Sequence, residues 1–129
     1  MTITFKVTQH FGTNTSMTAA SNLTAGELVA LVADSEVDSA GTASTNVFGV
    51  VAEDCVAGKN VTIYQGVIEC TLETAGAFTA LDNIEAAANG TIATSGTAGK
   101  VIDFGVCHDA AAGAAEWLKC TLNLPAFVT

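Results

Sequence analysis

The feature that most constrains this chain is a short β-rich unit that comes twice. Val47–Leu72 reads as a strand, a tight acidic turn and two more strands. Val47, Phe48, Val50 and Val51 form an apolar, β-branched run, and Asp54 with Ala57-Gly58-Lys59-Asn60 supplies turn chemistry. Val61, Ile63, Val67, Ile68 and Leu72 resume the apolar pattern, with Gly66 marking a hairpin or bulge. Phe48-Gly49-Val50 returns as Phe104-Gly105-Val106, Ala57-Gly58 as Ala112-Gly113, and Cys70-Thr71-Leu72 as Cys120-Thr121-Leu122. Upstream, Thr24–Val29 aligns with Thr79–Ile84. Four anchors in one order predict two copies of a supersecondary unit, Thr24–Leu72 and Thr79–Leu122. Two copies are too few for a solenoid, which needs about three or more. A small all-β barrel built from two similar halves is the expected fold.

The remaining segments fit this frame. Residues 2–8 alternate, with Ile3, Phe5 and Val7 on one side and Thr2, Thr4, Lys6 and Thr8 on the other, which predicts a half-buried strand. Gln9–Asn22 is polar and without period, so Met1–Leu23 reads as an N-terminal arm preceding a barrel domain over 24–129. Glu27–Ala33 is a strand with apolar residues on both faces, and Asp34–Asn46 a loop with three acids. Asn83–Ala88 and Thr91–Thr94 flank Asn89-Gly90, the strongest short hairpin signal. Ser95–Lys100 is a turn, Val101–His108 a strand and Ala110–Ala115 a loop or single helical turn. Glu116–Leu124 is the last strand, stopped by Pro125, the one proline.

Charge excludes several functions. Thirteen acids against four lysines (Lys6, Lys59, Lys100, Lys119) give a net charge of −9. Neither nucleic acid nor an anionic membrane suits such a chain, because both need clustered cations. No apolar run reaches the roughly 20 residues of a membrane span. The N-terminus lacks a signal-peptide pattern, so assembly in a cytoplasm is expected. Only 13% of residues are charged, about half the usual quarter, and so bland a surface suits a protein packed against neighbours.

No motif points to an enzyme. Gly96–Lys100 ends like a phosphate loop, but Thr94 stands at the first glycine position and Val101 where Ser or Thr would ligate magnesium. Asp34-Ser35-Glu36-Val37-Asp38 alternates carboxylates, yet Ser39 and Thr45 occupy the positions a calcium loop gives to Gly and Glu. Cys55, Cys70, Cys107 and Cys120 make no CxxC pair and read as buried small apolar residues. His10 and His108 lack metal-site spacing, and there is no GxSxG elbow. No cofactor and no metal are expected.

These residues carry a family resemblance. Thr24–Val29, Val47–Asp54, Ala57-Gly58, Gly66-Val67-Ile68 and the echo Phe104-Gly105-Val106 resemble the capsid cement, or head decoration, proteins of tailed bacteriophages. The resemblance spans Thr24–Leu124. It implies a small β-tulip-like barrel, homotrimers at three-fold and quasi-three-fold positions of the outer capsid surface, and clamping of adjacent major capsid protein subunits. The N-terminal segment and the four cysteines depart from the pattern. The arm is the expected attachment element, with Thr2, Ile3, Phe5, Val7 and Phe11 as partner-binding residues that pair with a neighbour's sheet edge. The other function considered is a carbohydrate- or receptor-binding β-barrel on a virion surface, with Trp117 and Tyr64 as its aromatic candidates.

Overall fold

The computed structural model describes residues 5–42, 46–80, 82–94 and 105–127. Twelve strands follow in order: β1 (Val7–Phe11), β2 (Asn14–Ala19), β3 (Leu28–Ala33), β4 (Glu36–Ser39), β5 (Asn46–Val51), β6 (Asn60–Tyr64), β7 (Gly66–Glu73), β8 (Ile84–Ala86), β9 (Ile92–Thr94), β10 (Gly105–Cys107), β11 (Trp117–Leu124) and β12 (Ala126–Phe127). Strands β2, β4, β3, β5 and β6 pair in a ring that closes when β6 returns to β2, a five-stranded barrel. A second sheet runs β1-β7-β11-β10, and β8-β9 form a hairpin. Asn89 and Gly90 both hold positive φ (59° and 74°), the type I′ turn that an Asn-Gly hairpin requires.

The strand registers repeat. Thr15↔Ile63 in β2–β6 corresponds to Cys70↔Cys120 in β7–β11, and Met17↔Val61 to Leu72↔Leu118. The β3–β4 pair Val29↔Ser39 corresponds to Ile84↔Thr94 in β8–β9, and the parallel pair Ala19↔Val37 to Thr74↔Ile92. Leu23 and Cys55 exchange two backbone hydrogen bonds; so do Phe78 and Ala111. Even the turns match. The Glu27 carboxylate accepts from the Thr24 N–H at 2.7 Å, and the Asp82 carboxylate accepts from the Thr79 N–H at 2.8 Å. One scaffold is thus laid down twice, as β2–β6 and as β7–β11. Phe104 lies outside the described residues.

The copies begin earlier than the sequence echo suggests. Residues expected to form an arm instead supply β1, which pairs with β7, and β2, a member of the barrel. The period of β2 is masked because its more buried positions are Thr15, Met17 and Ala19, only one of them a large apolar residue. The Cys70/Cys120 echo is not an equivalence. These two residues face each other across β7–β11, and the counterpart of Cys120 is Ile63. The acidic loop likewise contains β4, which buries Val37.

The core explains the cysteines. Leu23, Val29, Val37, Val51, Val61 and Ile63 fill the first barrel. Their counterparts Phe78, Ile84, Ile92, Cys107, Leu118 and Cys120 belong to the larger second cluster. Leu28, Ala40, Val47 and Val50 extend that cluster from the first copy and join the two halves. Each fully buried aliphatic side chain contributes about 1.5–3 kcal/mol. Cys107 and Cys120 replace Val51 and Ile63 as packing residues, and all four thiols are free. Burial pushes the Cys70 thiol up to about 12, with the Glu69 charge adding to it, and burial also raises Cys120.

A two-stranded ribbon ties the copies together. β1 and β2 run against β7 and β6, passing from the sheet to the barrel where Thr13 and Gln65 exchange backbone hydrogen bonds (3.2 and 2.9 Å). Gly12 and Gly66 touch there. A Cβ on Gly66 would lie 2.6 Å from the Gly12 Cα, and Gly66 holds φ +103°.

Candidate attachment surface

Among the described residues, one face of the β1-β7-β11-β10 sheet packs on no core, its β7 and β11 positions being half-buried or exposed. It carries Phe11 beside its cross-strand partner Val67 at one end, and Glu73 opposite Trp117 at the other. Phe11 is 69% exposed and Val67 42%. Between them Glu69 meets Lys119 at 3.3 Å and accepts the Thr8 hydroxyl at 2.6 Å. The Thr8 bond does most to hold the Glu69 carboxyl below its ordinary range; burial opposes it, and Lys119 and His108 lower it further. β1 is the edge strand, and no described strand pairs with its outer side.

The residues expected to bind a partner separate into groups. Phe5 and Val7 pack against their own core, Val7 opposite Cys70. Phe11 stands exposed on the sheet face. Thr2 and Ile3 lie outside the described residues. Tyr64 makes an edge-to-face contact with His10 at 5.0 Å and packs on the core. His108 hydrogen-bonds the Thr121 hydroxyl at 2.7 Å. Val67 had no sequence signal, since it reads as one more strand valine until its partner is known to be Phe11.

Trp117 lines a groove of about 460 Å³ at the junction of the two copies. The Thr24–Glu27 turn forms one wall, the Asn89-Gly90 turn a second, and Ala114 and Ala115 a third. These walls are fixed by the backbone. Gly90 donates to the Ala40 carbonyl at 3.0 Å and lies so near β3 that a Cβ would sit 2.7 Å from the Glu27 Cβ. Buried Thr74 donates its hydroxyl to the Gly113 carbonyl at 2.8 Å and accepts the Glu116 N–H at 3.1 Å, strapping the third wall to β7. Among the described residues no group of three or more His, Cys, Asp and Glu side chains is placed to hold a metal ion.

A closed all-β fold with a row of free thiols in its core and an uncovered sheet face has the character of a structural protein. The family model of the phage cement proteins matches residues 7–124, and the chain belongs to that family. It is a capsid-associated structural protein of the virion. Its fold is similar to the N-terminal base of the head fiber protein gp8.5 of bacteriophage phi29. The TM-score is 0.70 at 18% identity, covering 92% of this chain and 100% of that one. No curated protein matches the chain.

Proposed function

We propose that this protein binds the outer surface of a phage capsid and stabilises it by bridging major capsid protein subunits. It would sit as a homotrimer at three-fold and quasi-three-fold positions after assembly in the host cytoplasm. The observation that carries the reading is this sheet face, with Phe11 and Val67 exposed on it beside edge strand β1, whose outer side no described strand pairs. Apolar residues at an open edge suit strand addition, in which main-chain bonds give affinity and side chains fill pockets. Occupying several subunits at once multiplies modest contacts through effective concentration. The net charge of −9 favours the outer face, since packaged DNA would repel it within. Cryo-electron microscopy of decorated particles tests this. Trimeric density outside the shell at three-fold and quasi-three-fold positions, touching neighbouring major capsid subunits, is the expected result. Density only at five-fold vertices, or inside the shell, refutes it.

A second reading, a carbohydrate- or receptor-binding module, is favoured by Trp117 in the groove. Saturable binding on a glycan array together with no binding to undecorated capsids would establish it.

A further inference from the structure

We infer that the groove at the junction of the two copies receives an arginine side chain from a partner protein, with Trp117 as the stacking platform and Glu73 as the ion-pair acceptor. The duplication supplies the first ground. In the first copy the pair equivalent to Glu73↔Trp117 is Thr18↔Asn60, whose side chains lie 3.4 Å apart in a mutual hydrogen bond. The scaffold therefore needs neither an indole nor a carboxylate at this position. In the second copy both are present, and neither side chain has an intramolecular hydrogen-bond or ion-pair partner among the described residues.

Chemistry identifies the occupant. A carboxylate only accepts, so the ligand must donate. Among the described residues the lining holds two carboxylates, Glu27 and Glu73, and no cationic side chain. Glu27 is already engaged, taking the Thr24 N–H and the Ser39 hydroxyl. Glu73 is the open acceptor, and it projects beside an indole whose face attracts a cation within about 6 Å. Directly opposed residues on paired strands hold their Cβ atoms about 4.5–5.5 Å apart, so one planar group can stack on Trp117 and still reach Glu73. A guanidinium does both, being flat, always charged and able to grip a carboxylate with two N–H groups. The volume lies within the roughly 300–1,000 Å³ typical of small-ligand sites. This chain contains no arginine, so the side chain comes from a different protein and not from a second copy.

The inference rests on the capsid-binding reading for the identity of the partner, and two measurements keep them separable. Trp117 is the sole tryptophan, so its fluorescence reports the groove directly. Titration with N-acetyl-arginine amide is expected to give a saturable change at millimolar concentrations. Salt should weaken it and Glu73→Gln should abolish it, while the neutral isostere N-acetyl-citrulline amide gives none. Absence of a saturable change, an equal response in Glu73→Gln, an equal response to the citrulline probe, or saturation only by methyl glycosides would overturn the inference. In the second measurement, Glu73→Gln should weaken co-sedimentation with undecorated capsids about tenfold or more. Its thermal melt should match the parent's, because the Glu73 side chain has no hydrogen-bond or ion-pair partner among the described residues. Undiminished capsid binding by Glu73→Gln overturns the assignment of the groove to the lattice and leaves the attachment reading standing. If the parent protein itself fails to bind capsids, the attachment reading falls, and the fluorescence titration still decides the groove.

Discussion

The Gly12–Gly66 contact makes a graded prediction, because the glycines of this chain differ in what a methyl group would meet. At Gly66 two penalties combine. The residue holds φ +103°, and its added Cβ would lie 2.5 Å from the Phe11 carbonyl oxygen and 2.6 Å from the Gly12 Cα. A conformation disfavoured for L-residues costs about 1–2 kcal/mol, and overpacking a site that cannot relax a further 1–3 kcal/mol or so. The obstructing atoms are backbone on both sides of the ribbon, so no rotamer change relieves them. Gly66→Ala should lose about 2–5 kcal/mol from a total of roughly 5–15 kcal/mol. For a domain of this size that lowers the melting temperature by about 8–20 °C. Gly58 separates the two penalties, since it holds φ +85° with no atom within 4 Å of its added Cβ. Gly58→Ala should therefore cost only about 1–2 kcal/mol. Gly76 meets nothing within 4 Å and has no positive φ, so Gly76→Ala should be neutral or slightly stabilising. Calorimetry or circular-dichroism melts of the three variants check the order. A Gly66→Ala protein melting within about 2 °C of the parent, or no more weakened than Gly58→Ala, would refute the ribbon contact.

The buried thiols predict sensitivity to alkali. An unfolded Cys70 releases its proton near the ordinary thiol value of 9.0, while burial makes the folded thiol hold it to about 12. Between those values the native state binds more protons, so stability is complete below pH 9 and falls as the pH rises toward 12. Melting temperature should be level from pH 6 to about 8.5 and drop steeply above 9; an undiminished drop in the Cys70→Ala/Cys120→Val double variant would show that the thiols are not its source. Exposed Phe11 and Val67 predict separation of folding from attachment. Phe11→Ser with Val67→Thr should change stability by about 0.5 kcal/mol or less per site yet reduce capsid co-sedimentation; full coating by the folded variant would remove this end of the face from the proposed interface.

Much of the fold was legible because its signals were local. The Asn89-Gly90 hairpin, the apolar run of β5 and the stop at Pro125 each depend on a few adjacent residues. The duplication was legible from its turns: the Thr24 and Thr79 turns are closed by acids three residues on, and the same backbone bonds follow. One echo in strand residues misled. Cys-Thr-Leu at 70 and at 120 look alike because both are inward-alternating strand segments, but they pair with one another. The first strand of the first copy was missed, and that of the second was read as the last strand of the first, for the converse reason. Thr15-Ser16-Met17 and Cys70-Thr71-Leu72 hold equivalent places while sharing almost no chemistry. The groove was illegible from sequence because its walls come from separate turns of both copies, and Trp117 looks like any bulky strand residue until Glu73 is found opposite it.

The duplicated frame also limits where a partner can engage. In the first copy every strand has two neighbours, so the ring offers no backbone for pairing, and β12 covers the part of β5 that β6 leaves free. The second copy is bordered differently, for β1 lies along β7 and presents an outer edge. Side chains alternate along β7, so Val67, Glu69, Thr71 and Glu73 share the uncovered face. At about 3.4 Å per residue, the Val67 and Glu73 positions stand roughly 20 Å apart on it. The apolar Phe11–Val67 end and the Trp117–Glu73 end are thus separate contacts on one sheet, joined by β7 and too distant to share a single partner side chain. A lattice subunit meeting only one end would leave the other free for its neighbour, and the proposed bridging requires a surface of that form.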